Sequence, residues 1–209
     1  MKPETPRPGL LLLLGAVLGG LLMPLQVGIA QADSPETNPA RQWGLESLME
    51  SLAERPSGQA RFTEKKYLSV LDTPIEQSGT LAFAPGRLEK LTLHPGREHM
   101  IVDGSTLTIE TGADRKLRRL QLHRYPVVWG FVEGLRASIT GDLDTLQRFY
   151  EVELHGDHQD WELLMRPIRP DMSRVVRMLS VRGQDDRVVV IEVVQDNGDR
   201  SVMRIVESG

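Results

Sequence analysis

The sequence contains no cysteine. Disulfide stapling, thiolate nucleophiles and cysteine-ligated zinc are therefore excluded. A lipid anchor on an N-terminal cysteine is excluded as well. Aromatic residues make up only 5% of the chain. An apolar interior must then be built chiefly from leucine, valine and methionine, which give loose and adaptable walls. Positive charge is not in excess: 25 Lys and Arg stand against 29 Asp and Glu, a formal net charge of −4. That balance argues against nucleic acid as a partner. There is no G-x-S-x-G elbow and no phosphate loop. Of the five histidines, only His155 and His158 are clustered, and their spacing with Asp157 and Asp160 matches no metal signature. No catalytic residue, metal or cofactor is expected.

Long apolar runs are also missing, with one exception. Gly9 to Leu22 is apolar, follows Lys2 and Arg7, and precedes Ala30-Gln31-Ala32. This is the pattern of a secretory signal peptide with an A-x-A cleavage site, and the core is short for a membrane span. Residues 1–32 are read as the leader and 33–209 as one mature domain, with 33–39 a flexible tail. The expected location is the periplasm, after cleavage near Ala32.

The mature chain reads as mostly β. Asn38 and Pro39 offer a cap and first position for a helix ending near Arg55, with Leu45, Leu48, Met49 and Leu52 on one stripe. Strands are expected at Gln59–Val70, Ile75–Phe83, Arg87–His94, Glu98–Val102, Thr106–Glu110 and Lys116–Leu122. A helical interruption covers Pro126 to about Thr140, and a second short helix runs from Asp142 to about Arg148. Strands resume at Phe149–Leu154, Trp161–Met165, Val175–Val181, Arg187–Val194 and Arg200–Val206. Asp103-Gly104 and Asn197-Gly198 mark hairpins. The expected architecture is mainly β (α+β). It is a curled antiparallel sheet of about eleven strands, which can close or stay open, with an N-terminal helix and the helical interruption packed on its concave face.

Several segments resemble the LolA family of periplasmic lipoprotein carriers. Phe62-Thr63-Glu64-Lys65 is similar to the family's opening strand and Gln77-Ser78-Gly79-Thr80-Leu81 to its second. Pro85-Gly86-Arg87-Leu88 falls where the family has a proline before a strand, and Val102-Asp103-Gly104 with Leu107 is similar to its D-G-x-x-L hairpin. The resemblance implies an open or half β-barrel with a helical lid on its concave face, over an apolar cavity. It also implies acylated cargo, an inner-membrane transporter as donor and a lipid-anchored outer-membrane acceptor. The sequence departs from the family pattern at Ala84, where arginine is usual, at Lys90, where tryptophan is usual, and at Thr108, Ile109 and Glu110, which replace an aromatic cluster. These departures mark a divergent member, expected to act as a monomer with only transient membrane contact.

The lid candidate is Pro126 to Leu135. Val128, Val132, Leu135 and Ile139 form one stripe, which Trp129 and Phe131 widen. Gly130 and Gly134 each cost the helix about 1 kcal/mol relative to alanine. The candidate cavity wall is Leu81, Phe83, Leu88, Leu107, Ile109, Leu120, Leu122, Val128, Trp129, Val132 and Leu135. Arg87, Lys90, Arg118 and Arg119 are candidates for contact with an anionic head group or partner. A lipid- or lipoprotein-sensing module and an envelope hydrolase are the alternative functions.

Overall fold

The computed structural model describes residues 43–112 and 115–207. The expected leader, the tail at 33–39 and the helix cap at Asn38 and Pro39 lie outside the described residues. Helix α1 (Leu45–Ala53) leads into β1 (Gly58–Tyr67), β2 (Ile75–Ala84), β3 (Arg87–His94), β4 (Glu98–Asp103), β5 (Thr106–Thr111) and β6 (Lys116–Gln121). A 3-10 turn at Leu122–Arg124 then introduces α2 (Pro126–Thr140) and α3 (Leu143–Phe149). The chain continues through β7 (Tyr150–Asp157), β8 (Asp160–Pro167), α4 (Pro170–Ser173), β9 (Val176–Gln184), β10 (Arg187–Gln195) and β11 (Arg200–Glu207).

The first strand and the last lie side by side. The eleven strands form one sheet in the order β6-β5-β4-β3-β2-β1-β11-β10-β9-β8-β7, and every neighbouring pair is antiparallel. This order leaves β6 and β7 as the two edges, with no ladder between them, so the barrel stays open. It also dictates where the helices go. The chain passes from one edge to the other through α2 and α3, so that connection spans the open side and turns its apolar stripe to the concave face. Edge strand β6 carries exposed Lys116, Arg118 and Arg119, charges that discourage further strand addition.

Two solid cores form on the concave face. Over β7–β10, the inward residues Trp161, Leu163, Met165, Leu179 and Val181 are buried against Leu48, Met49 and Leu52 of α1, Leu146 of α3 and Met172 of α4. Full burial of each such side chain contributes about 1.5–3 kcal/mol. Over β4–β6, a smaller cluster joins Val102, Leu107, Ile109 and Leu122 to Val132 of α2. Helix α2 belongs to both. Its glycines are points of close approach: a Cβ on Gly134 would lie 2.2 Å from the Tyr150 ring, and one on Gly130 would lie 2.4 Å from the Met172 sulfur.

Some boundaries differ from the sequence expectation, each for a local reason. Helix α1 starts at Leu45, where Ser47 Oγ both accepts from the Gly44 N–H and donates to the Gly44 carbonyl at 2.8 Å. Strand β1 stops at Tyr67 and not Val70, because the Ser69 N–H leaves the ladder to donate to Asp199 Oδ1 at 2.7 Å. Leu122 is not in β6; its N–H donates to the Ser105 carbonyl at 2.8 Å and it begins the 3-10 turn. The four-residue helix α4 was not expected between Pro167 and Val176. Pro170 occupies its first position and Met172 is fully buried.

Candidate functional site

A cavity of about 470 Å³ occupies the space between the two cores. Its floor is the inner face of β1, β2, β3, β10 and β11. Its roof is Phe131, Val132, Leu135 and Ile139 of α2, with Leu52 of α1. Strand register explains the character of the wall. Ala60, Leu81 and Lys90 stand in one cross-strand row, and Phe62, Gly79 and Thr92 in the next. On the other side of β1, Glu64 pairs with Met203 and Ile191 beyond it, and Lys66 with Ser201 and Val193. The wall therefore changes from apolar to polar along β1. Leu81, Phe83, Leu88 and Ile205 line one stretch, while Glu64, Lys66, Gln195 and Ser201 line the other.

Glu64 organises the polar stretch. It is 5% exposed. Its Oε2 accepts from the Lys90 ammonium and its Oε1 from the Ser201 hydroxyl. The Lys90 ammonium also lies 4.9 Å from the centre of the Phe62 ring, a cation–π contact. Gly79 keeps this lane clear, because a Cβ there would touch the Phe62 ring at 3.0 Å and the Leu91 carbonyl at 1.9 Å. Burial by itself would raise the Glu64 carboxyl. The charges of Lys90 and Lys66, with hydrogen bonds from Lys90 and Ser201, overcome this and hold it below the ordinary carboxylate value. Lys66 is shifted down, first by burial and further by the like charge of Lys90, with Glu64 and Glu98 opposing.

The expected site residues divide into groups. Leu81, Phe83, Leu88, Val132 and Leu135 line the cavity. Leu107, Ile109, Leu120, Leu122, Val128 and Trp129 pack in the smaller core beside it. Strands β4 to β6 are short, and the 3-10 turn and the first turn of α2 sit directly on them, so those side chains meet each other and seal that end. Of the basic candidates, Lys90 reaches the cavity. Arg87 is held by Glu89 at 2.9 Å and Asp103 at 3.5 Å. Arg118 and Arg119 are exposed on the β6 edge. Among the described residues no group of three or more His, Cys, Asp or Glu is placed to hold a metal.

Glu64, Lys66, Gln195 and Ser201 were not expected in the wall from sequence. A signal for the first two was present. They share the parity of Ala60 and Phe62 in β1, so a strand that buries those two must also turn Glu64 and Lys66 inward.

The model of the LolA-like outer membrane lipoprotein carrier proteins matches residues 37–206. The chain belongs to this family. No curated protein matches it. Similar solved structures include a LolA superfamily protein from Nitrosomonas europaea, with 12% identity, TM-score 0.43 and coverage of 78% of this chain and 91% of that one. A domain from Vibrio parahaemolyticus assigned to outer membrane lipoprotein sorting is 8% identical, with TM-score 0.40 and coverage of 77% and 88%. A DUF1329 family protein from Desulfovibrio piger is 11% identical, with TM-score 0.32 and coverage of 77% and 88%. This LolA-like chain is a divergent member, and its cavity wall carries Lys90.

Proposed function

We propose that this protein is a periplasmic carrier. It takes the acyl chain of a lipoprotein or other lipidated molecule from an inner-membrane transporter, keeps it dry in the cavity, and hands it to a lipid-anchored acceptor at the outer membrane. It acts as a monomer, by binding and not by bond chemistry, after its leader is cleaved near Ala32. Membership of a family of lipoprotein carriers supports this reading. The single observation that carries it is the unfilled space between two well-packed cores, about 470 Å³ bounded by Leu81, Phe83, Leu88 and the underside of α2.

A space of that size falls within the roughly 300–1,000 Å³ of ordinary ligand sites. Each buried methylene contributes about 0.8 kcal/mol, so one chain of common length contributes on the order of 10 kcal/mol before the costs of association. Capture is strong on that account, and release must be made easier. A wall that is partly polar serves release, because that stretch gains nothing from burying hydrocarbon.

The test is a titration with a fluorescent fatty-acid probe, comparing wild type with Leu81→Trp. The indole fills the cavity from the middle of β2, where Leu81 stands between Ala60 and Lys90. Saturable binding by wild type, weakened at least about tenfold in the variant, is expected. Equal binding by both proteins, or none by wild type, contradicts the proposal.

A further inference from the structure

The polar stretch of the cavity holds more positive charge than its central carboxylate neutralises. Glu64 has both oxygens engaged, one by Lys90 and one by Ser201. The second ammonium, Lys66, stands 4.0 Å from Glu64 Oε1, beyond hydrogen-bond reach. Its side chain is 20% exposed, and it lines the cavity. Two other carboxylates lie in the neighbourhood. Glu98 acts on Lys66 only at a distance, and Asp199 accepts the Ser69 N–H at 2.7 Å. Among the described residues neither forms an ion pair with Lys66 or Lys90. A largely buried ammonium without a hydrogen-bond acceptor costs free energy unless something in the cavity serves it.

We infer that the cavity takes an anionic amphiphile, with its acyl chain along Leu81, Phe83 and Leu88 and its carboxylate or phosphate on Lys66. This inference rests on the carrier reading and narrows its cargo. A fully esterified, uncharged acyl group satisfies the apolar stretch alone. A fatty acid or a monoacyl phosphoester satisfies both stretches, because its charged oxygens supply the acceptor that Lys66 lacks. Lys90 plays a different part. Already bound to Glu64, it holds that carboxylate away from the incoming anion.

The experiment measures binding of three sixteen-carbon probes to the purified protein by calorimetry: hexadecanoate, hexadecyl phosphate and neutral hexadecanol. Wild type, Lys66→Met and Lys66→Arg are compared. Methionine keeps the apolar stem and leaves Glu64 with its two hydrogen-bonding partners. The inference predicts that wild type binds at least one anion about tenfold or more tighter than hexadecanol. The preference is lost in Lys66→Met and kept in Lys66→Arg. Which anion is preferred separates a carboxylate from a phosphate source. Equal binding of anion and alcohol by wild type, or an undiminished preference in Lys66→Met, overturns the inference and leaves the carrier reading intact. Binding of none of the three overturns both. Matching thermal unfolding of Lys66→Met and wild type shows that any loss of preference comes from the ammonium and not from a damaged fold.

Discussion

Removing the Glu64 carboxylate should cost more than removing the lysine bonded to it. In Glu64→Gln the shape is kept but the negative charge is gone. Two ammoniums, Lys90 and Lys66, then face one another with side chains only 18% and 20% exposed. Breaking a buried pair by removing one partner costs about 3–5 kcal/mol. Because both lysines keep some contact with water, the lower end, about 3 kcal/mol, is the expectation here. In Lys90→Met the carboxylate keeps the Ser201 hydroxyl, and Lys66 is close enough to swing in from 4.0 Å. The methionine stem still packs on Phe62, so the cost is about 1.5 kcal/mol, the low end for a hydrogen bond to a charged group. For a protein of this size, a kilocalorie moves the melting temperature by about 2–4 °C. Glu64→Gln should therefore melt about 6–12 °C below wild type and Lys90→Met about 3–6 °C below. Urea unfolding with an unchanged m-value checks the same order. Equal costs, or a larger loss in Lys90→Met, would refute the claim that the Glu64 charge keeps two neighbouring lysines from repelling one another.

The Glu64 carboxyl is depressed in the folded protein, so its contribution is complete above the ordinary value of 4.5 and drains away as pH falls through the lower folded-state value. The acid limb of stability against pH should accordingly be shallower in Glu64→Gln than in wild type; superimposable limbs would contradict this role for the carboxylate. In α2, Gly134→Ala drives a methyl group to 2.2 Å from the buried Tyr150 ring, whereas Gly130→Ala meets the flexible end of Met172. Chemical denaturation should show a loss of about 2–3 kcal/mol for the first and about 1 kcal/mol for the second, and the reverse ranking would mean that the Tyr150 ring is free to move.

The elements were legible because their signals are local. Alternation marked the strands, Asp103-Gly104 and Asn197-Gly198 marked two hairpins, and the stripe of Leu48, Met49 and Leu52 marked the first helix. Strand count and the helical interruption gave a curled sheet with helices on its concave face, and the resemblance to the LolA family gave its openness. Strand ends were less legible, because β1 is cut short by a side chain far along the chain, Asp199. The cavity wall was legible only in part. Periodicity shows that Leu107, Ile109 and Trp129 turn inward, but it does not show whether an inward side chain meets a neighbour or a space. That depends on how closely the 3-10 turn and α2 lie over β4 to β6. The polar stretch was hidden for a different reason. Charged residues in a strand are ordinarily assigned to the solvent face, and in Phe62-Thr63-Glu64-Lys65-Lys66 that habit overrides the parity which places Glu64 and Lys66 beside Phe62.

The central claim is that the space beneath α2 carries an acyl chain in the living cell. Native mass spectrometry of the protein isolated from its own periplasm, with extraction of any bound lipid, tests it without assuming the cargo. A carrier should show a population heavier than the mature chain by one acyl-bearing molecule, released intact and reduced in Leu81→Trp. A wild-type protein that is always free of lipid, and that stays so after incubation with long-chain amphiphiles, would contradict the claim.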